Sequence, residues 1–277
     1  MGKLVYLYGE YLKDFPSHLS IHAGGVVIAQ KPIYSYTATF RPPKGFPTAQ
    51  FSMIEAEEIG LYKFDILSQR GLGHIREAVD IVKQNRGDDI DIYDIATFKA
   101  DPCIAEQLER GHTMGCFYVK SPVMRMLLCK LKANDYLGLV AASSIIRPGV
   151  AQSGMMRQYI LLHRDPSRRK MMHPMMMNIM HETYGVMVYQ EDVIKVAHLF
   201  AGLDLGEADV LRRGMSRKYR SREEFDRTKD KFFNNCNRKG YSPALSAEIW
   251  RQVESFAGYS FAKGHSASFA VESYQSL

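Results

Sequence analysis

The chain has 277 residues, of which 46% are hydrophobic and 24% charged, a balance typical of globular proteins that excludes disordered and collagen-like classes. That length is about two domains' worth and is enough to bury a sizeable core. The net charge of +6 is unevenly spread: residues 1–110 carry 12 basic and 15 acidic side chains, residues 111–277 carry 24 and 15, and 212–231 alone carry nine and four. An acidic first part and a basic remainder point to a polyanion as partner of the second part.

No uncharged apolar run approaches the roughly 18 residues that a membrane helix needs. The start, Met1-Gly2-Lys3-Leu4, has no signal-peptide apolar stretch, and Tyr6 stands where a myristoylation motif wants Ser or Thr. The expectation is a soluble, cytoplasmic protein with no membrane partner. Cys103, Cys116, Cys129 and Cys236 form no C-x-x-C pair and no zinc spacing, so they are expected to be reduced and mostly buried thiols. His18 and His22 are four residues apart, but Gly24-Gly25 follow at once and no H-E-x-x-H frame exists. A zinc hydrolase is therefore expected to fail a metal analysis.

The first seventy residues read as the β-rich part. Ala23-Gly24-Gly25-Val26-Val27-Ile28-Ala29 is a glycine turn entering a β-branched strand. Residues 32–47, punctuated by Pro42-Pro43 and Lys44-Gly45, read as a loop. In Gly60-Leu61-Tyr62-Lys63-Phe64-Asp65-Ile66-Leu67 the alternation sets Tyr62, Phe64 and Ile66 on one face, predicting a half-buried strand. Lys63 and Asp65 then stand side by side on the other face.

Beyond Gly71 the period changes to that of a helix. Leu72, Ile75, Val79 and Val82 make one stripe that stops at Gly87. Ser121-Pro122 is an N-cap and first-turn proline, opening a helix that carries Met124, Leu127, Leu128 and Leu131. Tyr136 to Ile146 reads as a buried helix stopped by Arg147-Pro148-Gly149. Further helices are expected over 152–163, 190–202, 205–216, 221–239, 244–257 and 265–276. The fold class is α+β, a small mixed β-sheet followed by a mainly α-helical region. Six methionines fall within residues 171–180. Filling of an irregular core is the favoured reading, an adaptable binding groove the rival.

Three constellations carry chemistry. Asp65 is a strand carboxylate that is either paired with Lys63 or one ligand of an incomplete Mg²⁺ site, since phosphoryl transfer usually takes two or three carboxylates. Before it stand Asp14 and the Glu55-Ala56-Glu57-Glu58 run, with Glu10 further off, and none makes a D-x-D pair at a strand end. The run from Leu205 to Lys218 puts Arg212 and Arg213 in the last turn of a helix, where the macrodipole alone favours cations and where paired guanidinium groups also suit phosphate. Phe261-Ala262-Lys263-Gly264-His265-Ser266-Ala267-Ser268 sets a Lys and a His at a helix start, a place where N–H groups attract anions. Walker A and G-x-G-x-x-G runs are absent.

Taken in order, His22-Ala23-Gly24-Gly25-Val26-Val27-Ile28, Gly60 through Asp65, Arg147-Pro148-Gly149 with Gln152-Ser153-Gly154, Glu182 through Glu191, Leu211-Arg212-Arg213 and Phe256 through Ala267 closely resemble the alpha subunit of bacterial DNA polymerase III, the C-family replicative polymerase. The resemblance runs from about residue 15 to the end. It implies a palm similar to that of polymerase beta over residues 1–72, incomplete, and helical fingers over 73–277. It implies template-directed deoxynucleotidyl transfer from dNTP to a primer 3′-hydroxyl with two Mg²⁺ ions. Asp65 would match the third metal carboxylate and Lys63 would face the same cleft. Arg212, Arg213, Lys263 and His265 would contact the triphosphate, with Arg147 and Gln190 as weaker candidates for the nucleotide pocket. Primer–template DNA, dNTP and, through regions absent here, other replicase subunits such as the sliding clamp are the implied partners.

The sequence departs from the family pattern at Ser52, often Asp, at Ser68, usually Gly, and at Ala262 and Gly264, usually Asn and Ser. The family's upstream D-x-D, N-terminal phosphoesterase-like domain, thumb and C-terminal parts have no counterpart here. The last helix also lacks a stop signal before Leu277, so the chain reads as an excised fragment, inactive alone. The rival reading is a non-catalytic helical module that binds DNA or another protein through its basic helices.

Overall fold

Chain contacts separate two units, residues 1–73 and 74–277. The computed structural model describes residues 2–13, 21–22, 24–43, 45–67, 69–147, 150, 153–215, 222–255 and 262–277. Asp14, His18, Ala23, Lys44, Ser68, Pro148, Gly149, Gln152 and the stretches 216–221 and 256–261, all used in the sequence reading, lie outside the described residues.

The first unit opens with an exposed helix, α1 (Gly2–Tyr11). Strand β1 (Gly25–Ile28) pairs antiparallel with β4 (Tyr62–Asp65), with Gly25 opposite Asp65, Val26 opposite Phe64, Val27 opposite Lys63 and Ile28 opposite Tyr62. Between them lie a minimal ladder of β2 (Thr39–Phe40) with β3 (Thr48–Ala49) and a short helix α2 (Met53–Glu58). Leu61 enters β4 by donating its N–H to the Ala56 carbonyl at 2.9 Å, and both Ala56 and Leu61 are buried.

The expected half-buried face of β4 is corrected here. Tyr62, Phe64 and Ile66 are 71%, 52% and 52% exposed, and Val26 and Ile28, which share the face of Phe64 and Tyr62, are exposed as well. Alternation fixes which side chains share a face; it does not supply the layer that covers that face. Leu61, on the Lys63 and Asp65 side, is the residue that is buried.

The boundary between the units falls within α3 (Gln69–Arg86). Its stripe is realised in part, with Ile75 buried, Val79 and Val82 half-buried and Leu72 exposed. Two short helices that the periodicity missed follow: α4 (Ile95–Ala100), capped by the Asp94 carboxylate accepting from the Thr97 N–H at 3.2 Å, and α5 (Pro102–Arg110), capped by Asp101 accepting from Cys103 at 2.7 Å. Helix α6 (Pro122–Leu131) forms as the sequence dictates: Ser121 Oγ accepts from the Met124 N–H at 3.2 Å, and Met124, Leu127, Leu128 and Leu131 are buried. Helix α7 (Tyr136–Ile145) is capped by Asp135, which accepts from Gly138 at 2.6 Å, and is buried from Leu139 to Ile145.

Further α-helices among the described residues are α8 (Met155–Arg164), α9 (Pro174–Ile179), α10 (Gln190–Lys195), α11 (Leu205–Met215), α12 (Arg222–Arg238), α13 (Pro243–Ser255) and α14 (Lys263–Ser276). Helix α10 runs on into a π turn over Val196–Phe200. One continuous core joins these elements through Leu108, Leu128, Leu139, Ile145, Met187, Phe200, Phe232 and Tyr274. Burying each such side chain contributes about 1.5–3 kcal/mol. Burial also pushes the Tyr274 hydroxyl up to about 12. The methionine run serves this core chiefly: Met176 and Met180 are buried and Met172 and Met175 pack against it, while Met171 is exposed. The thiols are free, but Cys103 and Cys129 are exposed, which corrects the expectation of mostly buried ones. The fold class is α+β, dominated by helices, and no helix among the described residues is long and apolar enough to cross a membrane.

Candidate active-site and phosphate-binding residues

In the first unit the chemistry gathers around Asp65. Register places Gly25 opposite it. A Cβ at Gly25 would stand 2.9 Å from both His22 Nδ1 and Lys63 Cε, and one at Gly24 would stand 2.4 Å from the Ile66 carbonyl oxygen. Gly25 is thus what lets the His22 ring and the Lys63 stem close over the strand end, and Gly24 admits the Ile66 carbonyl. The Gly24 N–H donates to His22 Nδ1 at 3.2 Å, and that nitrogen lies 3.6 Å from Asp65 Oδ1. Lys63 Nζ sits 2.7 Å from Asp65 Oδ1 and 3.0 Å from Oδ2.

Asp65 is therefore paired with Lys63, as the simpler reading of its sequence had it, yet it is not sequestered: its side chain keeps 43% of its exposure. Among the described residues no group of three or more His, Cys, Asp or Glu is placed to hold a metal ion. Asp65 fits as one ligand of an Mg²⁺ set, not as a site. In the second unit, the D-x-D formed by Asp89-Ile90-Asp91 lies in a loop where Asp89 pairs with Lys83 at 3.0 Å and Asp91 accepts from the Tyr93 N–H at 2.9 Å.

In the second unit α10 is the organising element. Its first residue, Gln190, is half-buried. Asp192 is 2% exposed and accepts from the Val188 and Tyr189 N–H groups at 2.9 and 2.8 Å. Burial outweighs those two bonds and raises its carboxyl above the usual range. Glu191 accepts the Lys263 N–H through both carboxylate oxygens, at 3.2 and 3.0 Å, and so caps α14 from another helix. The Lys263 ammonium is bonded to Glu182 and lies 5.3 Å from the Tyr189 ring centroid. That bond holds the Glu182 carboxyl below its ordinary range. The helix start that the sequence marks as an anion site is thus met by two carboxylates of the same chain. His265 follows on the exposed side of the first turn.

Helix α11 packs on α10 and carries Arg212 and Arg213. A reciprocal cap between Asp204 and Glu207 starts it, with N–H···O distances of 3.1 and 2.8 Å. Ala208 and Leu211 are fully buried. A Cβ at Gly214 would lie 2.3 Å from the Phe225 ring, so the glycine admits α12 against the last turn. Asp209 receives both arginines: Arg212 Nε at 2.7 Å on Oδ1 and Arg213 Nη2 at 2.6 Å on Oδ2.

Arg147 follows the end of α7. Its Nη2 donates to the Tyr118 hydroxyl at 2.8 Å, and that hydroxyl donates to the Ser143 carbonyl at 3.2 Å. Burial raises Tyr118 against the lowering influence of Arg147. Helix α14 reaches the same region through Phe269, 5.1 Å from the Tyr118 ring, and is fastened to α7 by Ser144–Ser266 at 2.5 Å and by Tyr136 Oη donating to the Ala267 carbonyl at 2.9 Å.

The carboxylates Glu182, Glu191 and Asp209 are the functional partners that sequence reasoning missed. For Asp209 the signal was present, because it lies three and four residues before the two arginines on one helix. Glu182 and Glu191 meet Lys263 across 81 and 72 residues of chain, and no local spacing announces that.

Along the chain, then, a strand ending in a lysine–aspartate pair is followed by a helical unit whose cations are paired with carboxylates. Residues 2–68 match the model of the bacterial DNA polymerase III alpha NTPase domain, and residues 71–240 match that of the bacterial DNA polymerase III alpha subunit finger domain. The DNA polymerase III subunit alpha of Staphylococcus aureus strain COL is 36% identical over 263 residues, 95% of this chain and 24% of the relative. That of Aquifex aeolicus is 34% identical over 263 residues, 95% of this chain and 22% of the relative. The chain belongs to the bacterial DNA polymerase III alpha subunit family. It spans about a quarter of the length of the curated relatives that it matches.

Proposed function

We propose that this sequence serves template-directed DNA synthesis, as the palm strand and fingers of a replicative DNA polymerase. Residues 1–72 are assigned to the palm and 73–277 to the fingers. The matches to the two family models, one after the other along the chain, are the observation that carries this reading. The exposed carboxylate of Asp65 at the end of β4 agrees with it.

In this reading Asp65 is one carboxylate ligand of Mg²⁺, the rest of the set lying outside this sequence. The chemistry that bound Mg²⁺ supplies is activation of the primer 3′-hydroxyl and neutralisation of charge on the departing pyrophosphate. Lys63 contributes positive charge beside the carboxylate, and its ammonium must yield Asp65 to the metal. Arg212, Arg213, Lys263 and His265 bind the triphosphate of the incoming dNTP, an interaction that ground state and transition state share. Arg147 and Gln190 border the nucleotide pocket. Primer–template DNA and dNTP are the partners, and contacts with a sliding clamp belong to other regions of the polymerase.

The experiment is Asp65→Asn in a full-length alpha subunit carrying this sequence. Primer extension is expected to disappear while primer–template affinity stays within about twofold, because a metal ligand adds little to the phosphate contacts that dominate DNA binding. Near-wild-type extension would remove Asp65 from the metal site.

A further inference from the structure

Resting on the assignment of Arg212 and Arg213 to the triphosphate, we propose that Asp209 is a positioning residue that sets both guanidinium groups from a single carboxylate. Adjacent residues on a helix point about 100° apart, so two consecutive arginines diverge unless something holds them together. Asp209, three residues before one and four before the other, lies between them, and it gives one oxygen to each: Oδ1 to Arg212 Nε and Oδ2 to Arg213 Nη2. A guanidinium has five N–H donors in a rigid fork, so an anchor that takes one exhausts neither.

Stability does not explain this aspartate. Asp is among the weaker helix formers, and carboxylate–guanidinium pairs on a partly exposed surface add little to folding; here the side chains keep 29% exposure for Asp209 and Arg212 and 46% for Arg213. What Asp209 does achieve is geometric. The backbone under it is fixed, since its neighbour Ala208 and Leu211 are fully buried and the Asp204–Glu207 cap starts the helix one turn earlier. A fixed carboxylate orders two long, rotamer-rich side chains before the ligand arrives, so less of their freedom is lost on binding. The local charge stays at net +1, which preserves attraction for an anion.

The test is steady-state dNTP incorporation by a full-length alpha subunit carrying this sequence, comparing Asp209→Ala, Asp209→Asn, the Arg212→Ala/Arg213→Ala pair and their combination. Asp209→Ala is expected to raise the dNTP KM about tenfold, the scale on which outer partners tune a ligating group. The kcat should stay within about twofold, and the substitution should add almost nothing once both arginines are gone. Asp209→Asn retains one acceptor oxygen and should raise KM less. The Arg212 Nε–H resonance of the 277-residue chain should lose its slow exchange in Asp209→Ala, a readout that needs no nucleotide.

An unchanged KM in Asp209→Ala, with KM raised by the arginine substitutions, would overturn the positioning role and leave the phosphate assignment standing. A lowered KM would make Asp209 a competing anion and overturn it equally. If neither the arginines nor Asp209 moved KM, the phosphate assignment and the positioning role would fall together. Full additivity of Asp209→Ala with the arginine pair would mark a purely structural contribution and also defeat the proposal.

Discussion

The two units of this chain hold their candidate functional residues by opposite means. Around Asp65 the restraints are local and polar: a strand pairing, two glycines, a lysine two residues away and a histidine. Ala56 and Leu61 are buried, while Val26, Ile28, Tyr62 and Phe64 stand exposed on one face of the ladder. Around Arg212, Arg213 and Lys263 the restraints are long-range. A core running through Leu108, Phe200, Phe232 and Tyr274 fixes the helices, and carboxylates from other turns and other helices then orient the cations. A carboxylate that must hand itself to a metal benefits from an accessible place on a lightly packed strand. Cations that must meet several phosphate oxygens at once benefit from rigid supports.

Several outcomes would reverse this contrast, and the largest concerns catalysis. The purified 277-residue chain is expected to give no primer extension above background with Mg²⁺ and dNTPs, because one carboxylate cannot place two metal ions. Robust extension by it would mean that the first unit holds a complete site after all.

The next effect is on folding of the second unit. Asp192→Ala would leave the buried Val188 and Tyr189 N–H groups without their acceptor. At about 1–3 kcal/mol for each of the two unsatisfied buried groups, the loss should be roughly 2–6 kcal/mol in denaturant unfolding. A change under about 0.5 kcal/mol, the range of an ordinary surface substitution, would contradict the rigid support claimed for α10.

Smaller still is the expected effect of Arg212→Ala in the full-length subunit. The dNTP KM should rise about tenfold, on the scale of one charge-assisted bond, with kcat little altered. A change confined to DNA affinity would assign the arginine to the DNA backbone instead.

The smallest concerns pH. Lys263 holds the Glu182 carboxyl below its usual range, so the stabilisation from their contact is complete above about pH 4.3, the ordinary Glu value, and is lost as pH falls through the lowered folded value. Both side chains are substantially exposed, which keeps the effect small. Glu182→Gln should flatten the acid limb of the unfolding curve of the 277-residue chain, and an unchanged limb would contradict the contribution of this pair.

How much of this was legible beforehand follows from the range of each interaction. Helix α6 was readable in full, since Ser121-Pro122 supplies the cap and Met124, Leu127, Leu128 and Leu131 supply the stripe within ten residues. Helices α4 and α5 were missed although Asp94 and Asp101-Pro102 are start signals of the same kind. Helix α4, six residues long, is too short for its apolar period to stand out, whereas α5 carries its start signal and Ile104 and Leu108 one turn apart and was readable. The adjacency of Lys63 and Asp65 followed from strand alternation, whereas the exposure of Tyr62 and Phe64 did not, because burial depends on a second layer and not on the strand itself. The capture of Lys263 by Glu182 and Glu191 was illegible for the same reason: it depends on where α14 docks, which only the assembled core decides.

The division of labour between the strand carboxylate and the helical cations is tested most directly by the dNTP dependence of incorporation for Asp65→Asn and Arg212→Ala, measured side by side in one full-length subunit. Asp65→Asn should show no incorporation at any dNTP concentration while still binding primer–template, and Arg212→Ala should approach the wild-type rate once dNTP is raised about tenfold. Incorporation by Asp65→Asn at the wild-type rate, or a lost kcat with unchanged KM in Arg212→Ala, would contradict it.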